Sequence, residues 1–380
     1  MPNKDLMAAK EAKSDEFYTQ FRDIEAEMNA YLEYDPDVFR GKTVLLPCDD
    51  PEWSNFTRYF AAKFEDLGLR KLVSTSFAQQ SKHYDAPWQP TLFETEAPHF
   101  QADRTARCGK IFTLTRDTNR SGRIDIDDLE WDYLEGDGDF ASKEVTRLRD
   151  EADFVVTNPP FSLFRKFLQW LREGRKQFII IGSMNAVTYK EVFPLVMGNA
   201  MWMGPSIHSG DREFEVPKEY PLTAAGWRID EAGRRYVRVK GVRWFTNVDH
   251  GRRHEPLALM TMADNLRYSR HKELRGKPAY DRYDNYDALE VPFTDAIPCD
   301  YDGPMGVPIS FLDKYCPEQF EILGNEAMLN IEKGRGYVGG KRMYGRIFIR
   351  KARAAAGGAL ANGRDTPVAS HLAPAPMHNT

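Results

Sequence analysis

Residues 153–182 read DFVVTNPPFSLFRKFLQWLREGRKQFIIIG, and this stretch decides the fold. Asp153–Thr157 is a short apolar strand, Leu163–Arg172 carries a helical pattern, and Gln177–Gly182 is a second strand, apolar right through. Strands apolar on both faces, alternating with helices, predict a parallel sheet covered on both sides. Working outward, Phe17, Phe21, Ile24 and Met28 recur at helical spacing, and Gly41-Lys42 leads into a strand over Thr43–Pro47. Trp53, Phe56, Phe60 and Phe64 predict a helix over 53–67 that Gly68 ends, and Leu69–Thr75 reads as the next strand. Residues 85–107 hold several prolines without periodicity and read as a loop or insertion. Ile111–Leu114 and Ile124–Ile126 flank a turn-rich stretch and predict a hairpin. After about residue 200 the strands become rich in Arg, Tyr and Trp (RRYVRVKGVRWFTNV, 234–248). The expected class is therefore α/β, a doubly wound, mostly parallel sheet with ligand sites at the carboxyl ends of its strands.

A chain of 380 residues predicts two domains, or one large domain with an insertion. With 42% apolar residues, 23 Phe, 17 Tyr and 7 Trp, it is neither mostly disordered nor fibrous. No stretch approaches the ~20 consecutive apolar residues of a membrane span, and residues 1–17 lack an apolar signal region. Cys48, Cys108, Cys299 and Cys316 lie far apart without a CxxC pair, which argues against a disulfide scaffold or zinc site and fits a reducing cytoplasm. The net charge of −5 hides an asymmetry. Arg228–Arg282 holds 14 Lys/Arg against 7 Asp/Glu, and Leu329–Arg353 holds 8 against 1. Two basic blocks on an acidic body suit a polyanion-binding face, although a solvated surface would use the same letters.

Asn158-Pro159-Pro160-Phe161 follows the DFVVT strand directly. Two prolines stiffen the turn and remove two backbone donors, which leaves carbonyl oxygens facing outward. The Asn158 side-chain oxygen and the Pro159 carbonyl can then accept both hydrogens of one amino group, while Phe161 offers a face to a planar base. The plain alternative is a strand-ending turn capped by asparagine.

These residues resemble the catalytic motif of S-adenosylmethionine-dependent methyltransferases that act on the adenine amino group in DNA. Lys13–Gln20 (KSDEFYTQ) resembles the N-terminal cofactor motif of that family, and Gly136–Phe140 (GDGDF) its acidic motif. With CDDP at 48–51, SNF at 54–56, DLGL at 66–69 and TNPPFSLFRKF at 157–167, the chain is most similar to the EcoRI-type adenine methyltransferases over roughly residues 13–350. The resemblance implies a Rossmann-like catalytic domain over 14–205 and a DNA-recognition region over 206–353, which could also supply the last sheet strands. Residues 1–13 and 354–380 would be flexible ends. It further implies methyl transfer from S-adenosylmethionine to N6 of an adenine flipped out of double-stranded DNA. Asn158, Pro159 and Pro160 would form the catalytic loop with Phe161 stacked on the base. Phe17, Tyr18, Thr19, Asp49, Asp50, Asp139 and Phe140 would bind the cofactor. Arg234, Arg235, Arg252, Arg253, Lys341 and Arg342 would meet DNA. No metal is implied, because a sulfonium is already an activated donor. A GAATTC-like target is suggested, and an endonuclease acting on the same site without a stable complex is left open.

The chain departs from most such enzymes in one place. The loop after the first strand, VLLPCDDPEWSNF (44–56), holds no glycine, and Asp49 and Asp50 stand where a glycine-rich cofactor loop would be. The EcoRI-like subgroup shares this variant by resemblance. The acidic residue usual after the second strand is also absent, since that strand ends Ser74-Thr75-Ser76-Phe77. Three other patterns read as decoys. Pro47-Cys48 and Pro298-Cys299 look like a cytosine-methyltransferase nucleophile but read better as structural cysteines. Asp117–Asp128 (DTNRSGRIDIDD) has calcium-loop spacing, yet a hairpin turn uses the same residues. His208, His250, His254 and His271 show no metal-ligand spacing and read as solvated or phosphate-facing. Two further functions stay open: methylation of an RNA adenine or a protein glutamine, and non-catalytic DNA binding on a degenerate methyltransferase scaffold.

Overall fold

The computed structural model describes residues 19–47, 49–51, 54–78, 100–208, 211–216, 222, 226–331 and 334–352. Phe17, Tyr18, Cys48, Trp53, the ends 1–13 and 354–380, and most of the 85–107 loop lie outside the described residues. Helix α1 (Phe21–Tyr34) precedes β1 (Thr43–Leu46), α2 (Asn55–Ala62) and β2 (Lys71–Ser76). After α3 (Ala102–Arg107) come β3 (Lys110–Leu114), β4 (Glu130–Tyr133), α4 (Lys143–Glu151), β5 (Phe154–Thr157) and α5 (Phe164–Glu173). β6 (Gln177–Ser183), α6 (Phe193–Met197) and β7 (Trp202–Met203) follow. Next are β8 (Asp211–Val216), β9 (Trp227–Ile229), β10 (Arg235–Lys240) and β11 (Val242–Thr246).

One eight-stranded sheet has the order β4-β3-β2-β1-β5-β6-β11-β7. Its four central strands, β2-β1-β5-β6, are parallel, and the outer two on each side run antiparallel to their neighbours. The apolar strands alternate their side chains between two cores. Val44, Leu46, Phe154, Val156, Ile179 and Ile181 face α1 and α2, whose Ile24, Met28, Phe56 and Phe60 close that side. Leu45, Val155, Phe178 and Ile180 face Val145 of α4 and Phe167, Leu168 and Leu171 of α5. A strand with both faces buried has no polar alternation to show, which is why these segments read as unbroken apolar runs.

Two sequence expectations are corrected. Ile124–Ile126 is not a strand: β3 pairs with β4, and 126–128 form a short 3₁₀ turn. The Asp128 carboxylate accepts the N–H groups of Thr118, Asn119 and Asp125, closing that loop and moving the pairing partner beyond Leu129. The helix expected over 53–67 spans only 55–62, because the Ser54 side chain caps it by accepting the Phe56 N–H at 3.1 Å.

The sheet also continues past residue 205, since β11 at 242–246 lies between β6 and β7. The rest of the C-terminal half forms a three-stranded sheet, β8-β10-β9, and a second sheet. The latter is built from β12 (Leu289–Glu290), β13 (Met305–Pro308), β14 (Phe320–Asn325) and β17 (Arg346–Lys351) in the order β12-β13-β17-β14. A ribbon of β15 (Tyr337–Val338) and β16 (Lys341–Arg342) stands apart from both, and α7 (Met262–Tyr268) precedes them. Met305, Phe320, Ile322 and Ile349 belong to the same core as α5, so the C-terminal sheet packs onto the eight-stranded one without a break.

Glu27 is fully buried in α1, where it accepts hydrogen bonds from the Tyr31 hydroxyl (2.8 Å) and the Ser206 N–H (2.9 Å). Desolvation is the chief cause that pushes its carboxyl up to about 7. The unfolded chain ionises this group near 4.5, so unfolding releases a proton at intermediate pH. Its contribution to stability therefore falls as pH rises from 4.5 to about 7, by on the order of 3 kcal/mol. Urea midpoints should drop between those pH values in the wild type and drop less in Glu27→Gln; equal slopes for the two would show that Glu27 is ionised throughout.

Candidate active site

Strand β1 has β2 on one side and β5 on the other, so the chain reverses its direction of travel across the sheet there. A crevice opens at the carboxyl ends of two strands at such a switch point. The described residues of the loop after β1 (47, 49–51 and 54) and the loop after β5, Asn158–Phe161, stand at these strand ends.

A buried carboxylate ties these loops together. Asp49, 7% exposed, accepts from the Ser54 hydroxyl at Oδ1 (2.7 Å) and from the Thr157 hydroxyl at Oδ2 (2.6 Å). Thr157 is the residue before Asn158, and its hydroxyl also lies 3.1 Å from the Pro47 carbonyl oxygen. The Asp49 carbonyl accepts from Thr57 (3.0 Å) and from Ser74 at the end of β2. Four hydroxyls on α2, its cap, β2 and β5 thus hold one aspartate. This arrangement fixes a loop that lacks the usual glycines. Asp50 is half-buried beside it, and its carbonyl accepts the Ser54 N–H at 2.7 Å.

Thr19 reaches the same crevice: its carbonyl accepts from Asn55 Nδ2 at 2.8 Å, at the start of α2. The Thr19 hydroxyl is enclosed and meets no hydrogen-bond partner among the described residues. The acidic loop comes in at β2. Gly138 adopts φ +88°, and a Cβ there would collide with the Ser76 carbonyl oxygen. Only glycine lets the loop lie against the strand end, where Ala78 N–H bonds the Asp137 carbonyl at 2.8 Å. Asp139 is half-buried and accepts the Ala141 N–H at 2.7 Å. The Phe140 ring is in the core instead, 4.9 Å from Phe167 and 5.6 Å from Trp170 of α5. It anchors the acidic loop to the helix that follows Asn158–Phe161.

In the loop after β5, Pro159 is buried, while Asn158, Pro160 and Phe161 are half-buried. Phe161 packs against the core beneath α2, and Phe164 is seated over Gly182, where a side chain would collide with its ring. The loop is thus braced from below. Sequence reasoning missed Ser54, Thr57, Ser74 and Thr157; the one available signal was a hydroxyl immediately before Asn158.

The six expected DNA-facing cations separate. Lys341 and Arg342 are exposed and form no ion pair with a described residue. Arg234 is held by Asp230 at 2.7 Å, and Arg235 is half-buried with its Nε enclosed. Arg252 is exposed and donates to the Pro205 carbonyl at 2.9 Å. Arg253 is a packing residue: its side chain is 12% exposed, lies 3.8 Å over the Trp202 ring and bonds Asn199. The histidines are not simply solvated. His250 is buried against the Met203 carbonyl, and burial lowers it to about 4. His254 sits between Asp249 and Glu318, both at 2.9 Å, and His271 pairs with Asp295 and stacks on Phe293. Cys316 is buried and Cys299 is exposed, so the structural reading of the cysteines does not extend to Cys299. In the 117–128 loop, Asp117 and Asp128 spend their oxygens on backbone N–H groups, as a turn does. Among the described residues, no helix is long and apolar enough to cross a membrane and no cluster has metal-ligand geometry.

A family model described as adenine-specific methyltransferase EcoRI matches residues 5–353. The chain is 38% identical over 351 residues to the type II methyltransferase M.EcoRI of Escherichia coli, covering 92% of this chain and 97% of that one. It is 33% identical to the type II methyltransferase M.MpnI of Mycoplasma pneumoniae, over 90% of this chain and 97% of the relative. No solved structure matches it.

Proposed function

The chain belongs to the EcoRI family of adenine-specific methyltransferases and is a site-specific DNA methyltransferase, and from this premise we propose that Asn158–Phe161 receives N6 of an adenine extruded from the duplex. The Asn158 side-chain oxygen and the Pro159 carbonyl accept the two amino hydrogens. Those bonds turn the nitrogen lone pair out of conjugation with the ring and toward the donor. Phe161 supports the base face by stacking, a contact worth ~1–3 kcal/mol per base. The positively charged product nitrogen then loses a proton to water.

The residues at the switch point fit S-adenosylmethionine. An enclosed hydroxyl awaits a partner at Thr19, Asp50 offers a half-buried carboxylate, and Gly138 lets the backbone of the acidic loop come close. When bound, the cofactor supplies an electrophilic methyl group on sulfur. Asp50 and Asp139 would accept hydrogen bonds from its hydroxyl or amino groups, and Thr19 would close the pocket from the N-terminal side. The Asp49 bridge between the cofactor loop and Thr157 carries this reading, because it fixes donor and acceptor loops against each other, as transfer by positioning requires. An endonuclease cutting the same sequence, with no stable complex, would be the natural counterpart. Purified protein with labelled S-adenosylmethionine and duplex DNA, RNA or protein extract tests the whole assignment; label confined to RNA or protein would overturn it.

The basic blocks give the DNA contact a salt signature. Each neutralised phosphate releases condensed counterions, so affinity should fall steeply with salt. Arg252→Glu should weaken duplex binding and leave cofactor affinity unchanged, as read by anisotropy and calorimetry. Arg253 is a poor probe, because its loss would also unpack Trp202. Binding that is flat between about 50 and 200 mM salt would remove the phosphate contacts from these blocks.

A further inference from the structure

We propose that the β15–β16 ribbon reads DNA sequence in the major groove, with Arg342 and Tyr344 as its base-contacting side chains; this rests on the DNA methyltransferase reading above. The first observation is how the fold sorts the charges of the 329–353 block. Arg346 is half-buried and paired with buried Glu290 at 2.6 Å. Arg350 is paired with Glu321 (2.7 Å), Lys351 with Asp302 (2.7 Å) and Arg335 with Glu326 (3.1 Å). Lys341 and Arg342 have no acidic partner among the described residues, and both lie exposed on the ribbon. Among the described cations of the block, the charge without an acidic partner thus falls on one small element; Lys333 and Arg353 lie outside the described residues.

The second observation is that this element is rigid. Gly339 and Gly340 adopt φ +55° and +74°, the conformation a two-residue hairpin turn of matching twist requires. The Asp284 carboxylate accepts both of their N–H groups, at 3.0 and 2.8 Å. Asn285 accepts the Tyr337 N–H (3.1 Å) and donates to the Arg335 carbonyl (2.9 Å). Val338 and Met343 pack inward on Tyr283 and Phe348, and Gly336 lies flat on the Tyr283 ring. Below them the Tyr283 hydroxyl bonds Glu290, the partner of Arg346. A lysine that only neutralises phosphate needs no such bracing, whereas a guanidinium that reads a guanine edge must be held in one orientation.

The third observation is the open face. Tyr344 is 87% exposed, an unusual position for a large aromatic ring, and with Arg335 and Arg342 it lines a hollow of about 360 Å³. A two-stranded ribbon fits the major groove. Arginine there pairs bidentately with guanine, and a ring can cover a thymine methyl group.

The test is N6-methyladenine mapping of plasmid DNA carrying random inserts, for wild type, Arg342→Ala, Tyr344→Ala and Asp284→Ala. Arg342→Ala should lose discrimination by about tenfold or more at one or two positions of the motif, with cofactor affinity within a few-fold. Asp284→Ala keeps every cation but frees the turn, so it should relax specificity in the same way. Uniformly weaker methylation of all sequences, with an unchanged motif and a salt slope reduced by about one, would overturn base reading and leave only a phosphate contact. Unchanged specificity in Asp284→Ala would overturn the role of the brace. A wild type that methylates no plasmid would refute the methyltransferase reading itself, a result distinct from either.

Discussion

Asn158→Ala should lower the rate of methyl transfer by about 10²–10³-fold, or roughly 3–4 kcal/mol, while duplex affinity and cofactor affinity change only a few-fold. The acceptor at residue 158 matters most when positive charge develops on the amino nitrogen, so its loss should fall on kcat rather than on binding. The loop is braced independently of this side chain: Pro159 is buried, Phe161 rests on the core, and Phe164 is locked over Gly182. The alanine variant should therefore fold normally. Asn158→Asp keeps an acceptor oxygen in place and should retain more activity than the alanine variant. Single-turnover assays at saturating cofactor and DNA isolate the transfer step; more than about a tenth of the wild-type rate in Asn158→Ala would take this residue out of catalysis.

The parts of the fold visible in the sequence are those buried on both faces by apolar side chains alone. FVVT and QFIIIG are covered on one face by α4 and α5, near them in the chain, and on the other by α1 and α2, far from them. The unbroken apolar run identifies a central strand whichever helices cover it. β11 was harder to place. Its five residues, VRWFT, are all buried, yet Arg243 among them makes a pair with Asp313 at 2.7 Å, 70 residues away. A strand containing arginine looks like surface until that partner is known. The same holds for the basic blocks. Their excess was plain by counting, but whether a given cation faces DNA or an internal acid depends on distant residues such as Glu290 and Glu326. Within the site, Asn158–Phe161 stands out in the sequence because its four residues are consecutive and directly follow an apolar strand. Phe140 was not: its position in an acidic motif suggested the cofactor, whereas aromatic packing on Trp170 decides where its ring goes.

Asp49 presents the sharpest choice between two roles, because an aspartate in the cofactor loop could bind the ligand or hold the loop. Both oxygens face internal hydroxyls, Ser54 and Thr157, and the latter spans 108 residues of sequence to the strand that precedes Asn158. If Asp49 is the strut, Asp49→Ala leaves the buried Ser54 hydroxyl without its acceptor, at about 1–3 kcal/mol, leaves Thr157 only the Pro47 carbonyl, and loosens the two loops from each other. Cofactor KM should rise and kcat should fall together, by about tenfold or more each. The decisive variant is Thr157→Val, which alters no cofactor-loop residue. On the strut reading it should reproduce much of the Asp49→Ala loss in both parameters, Thr157→Ser should restore them, and Asp49→Ala combined with Thr157→Val should be far from additive. If Asp49 binds the cofactor directly, Thr157→Val should leave cofactor KM near wild type and the two substitutions should add. Strong coupling would mean that a hydroxyl-pinned carboxylate performs, in this glycine-free loop, the positioning for which other such loops rely on glycine.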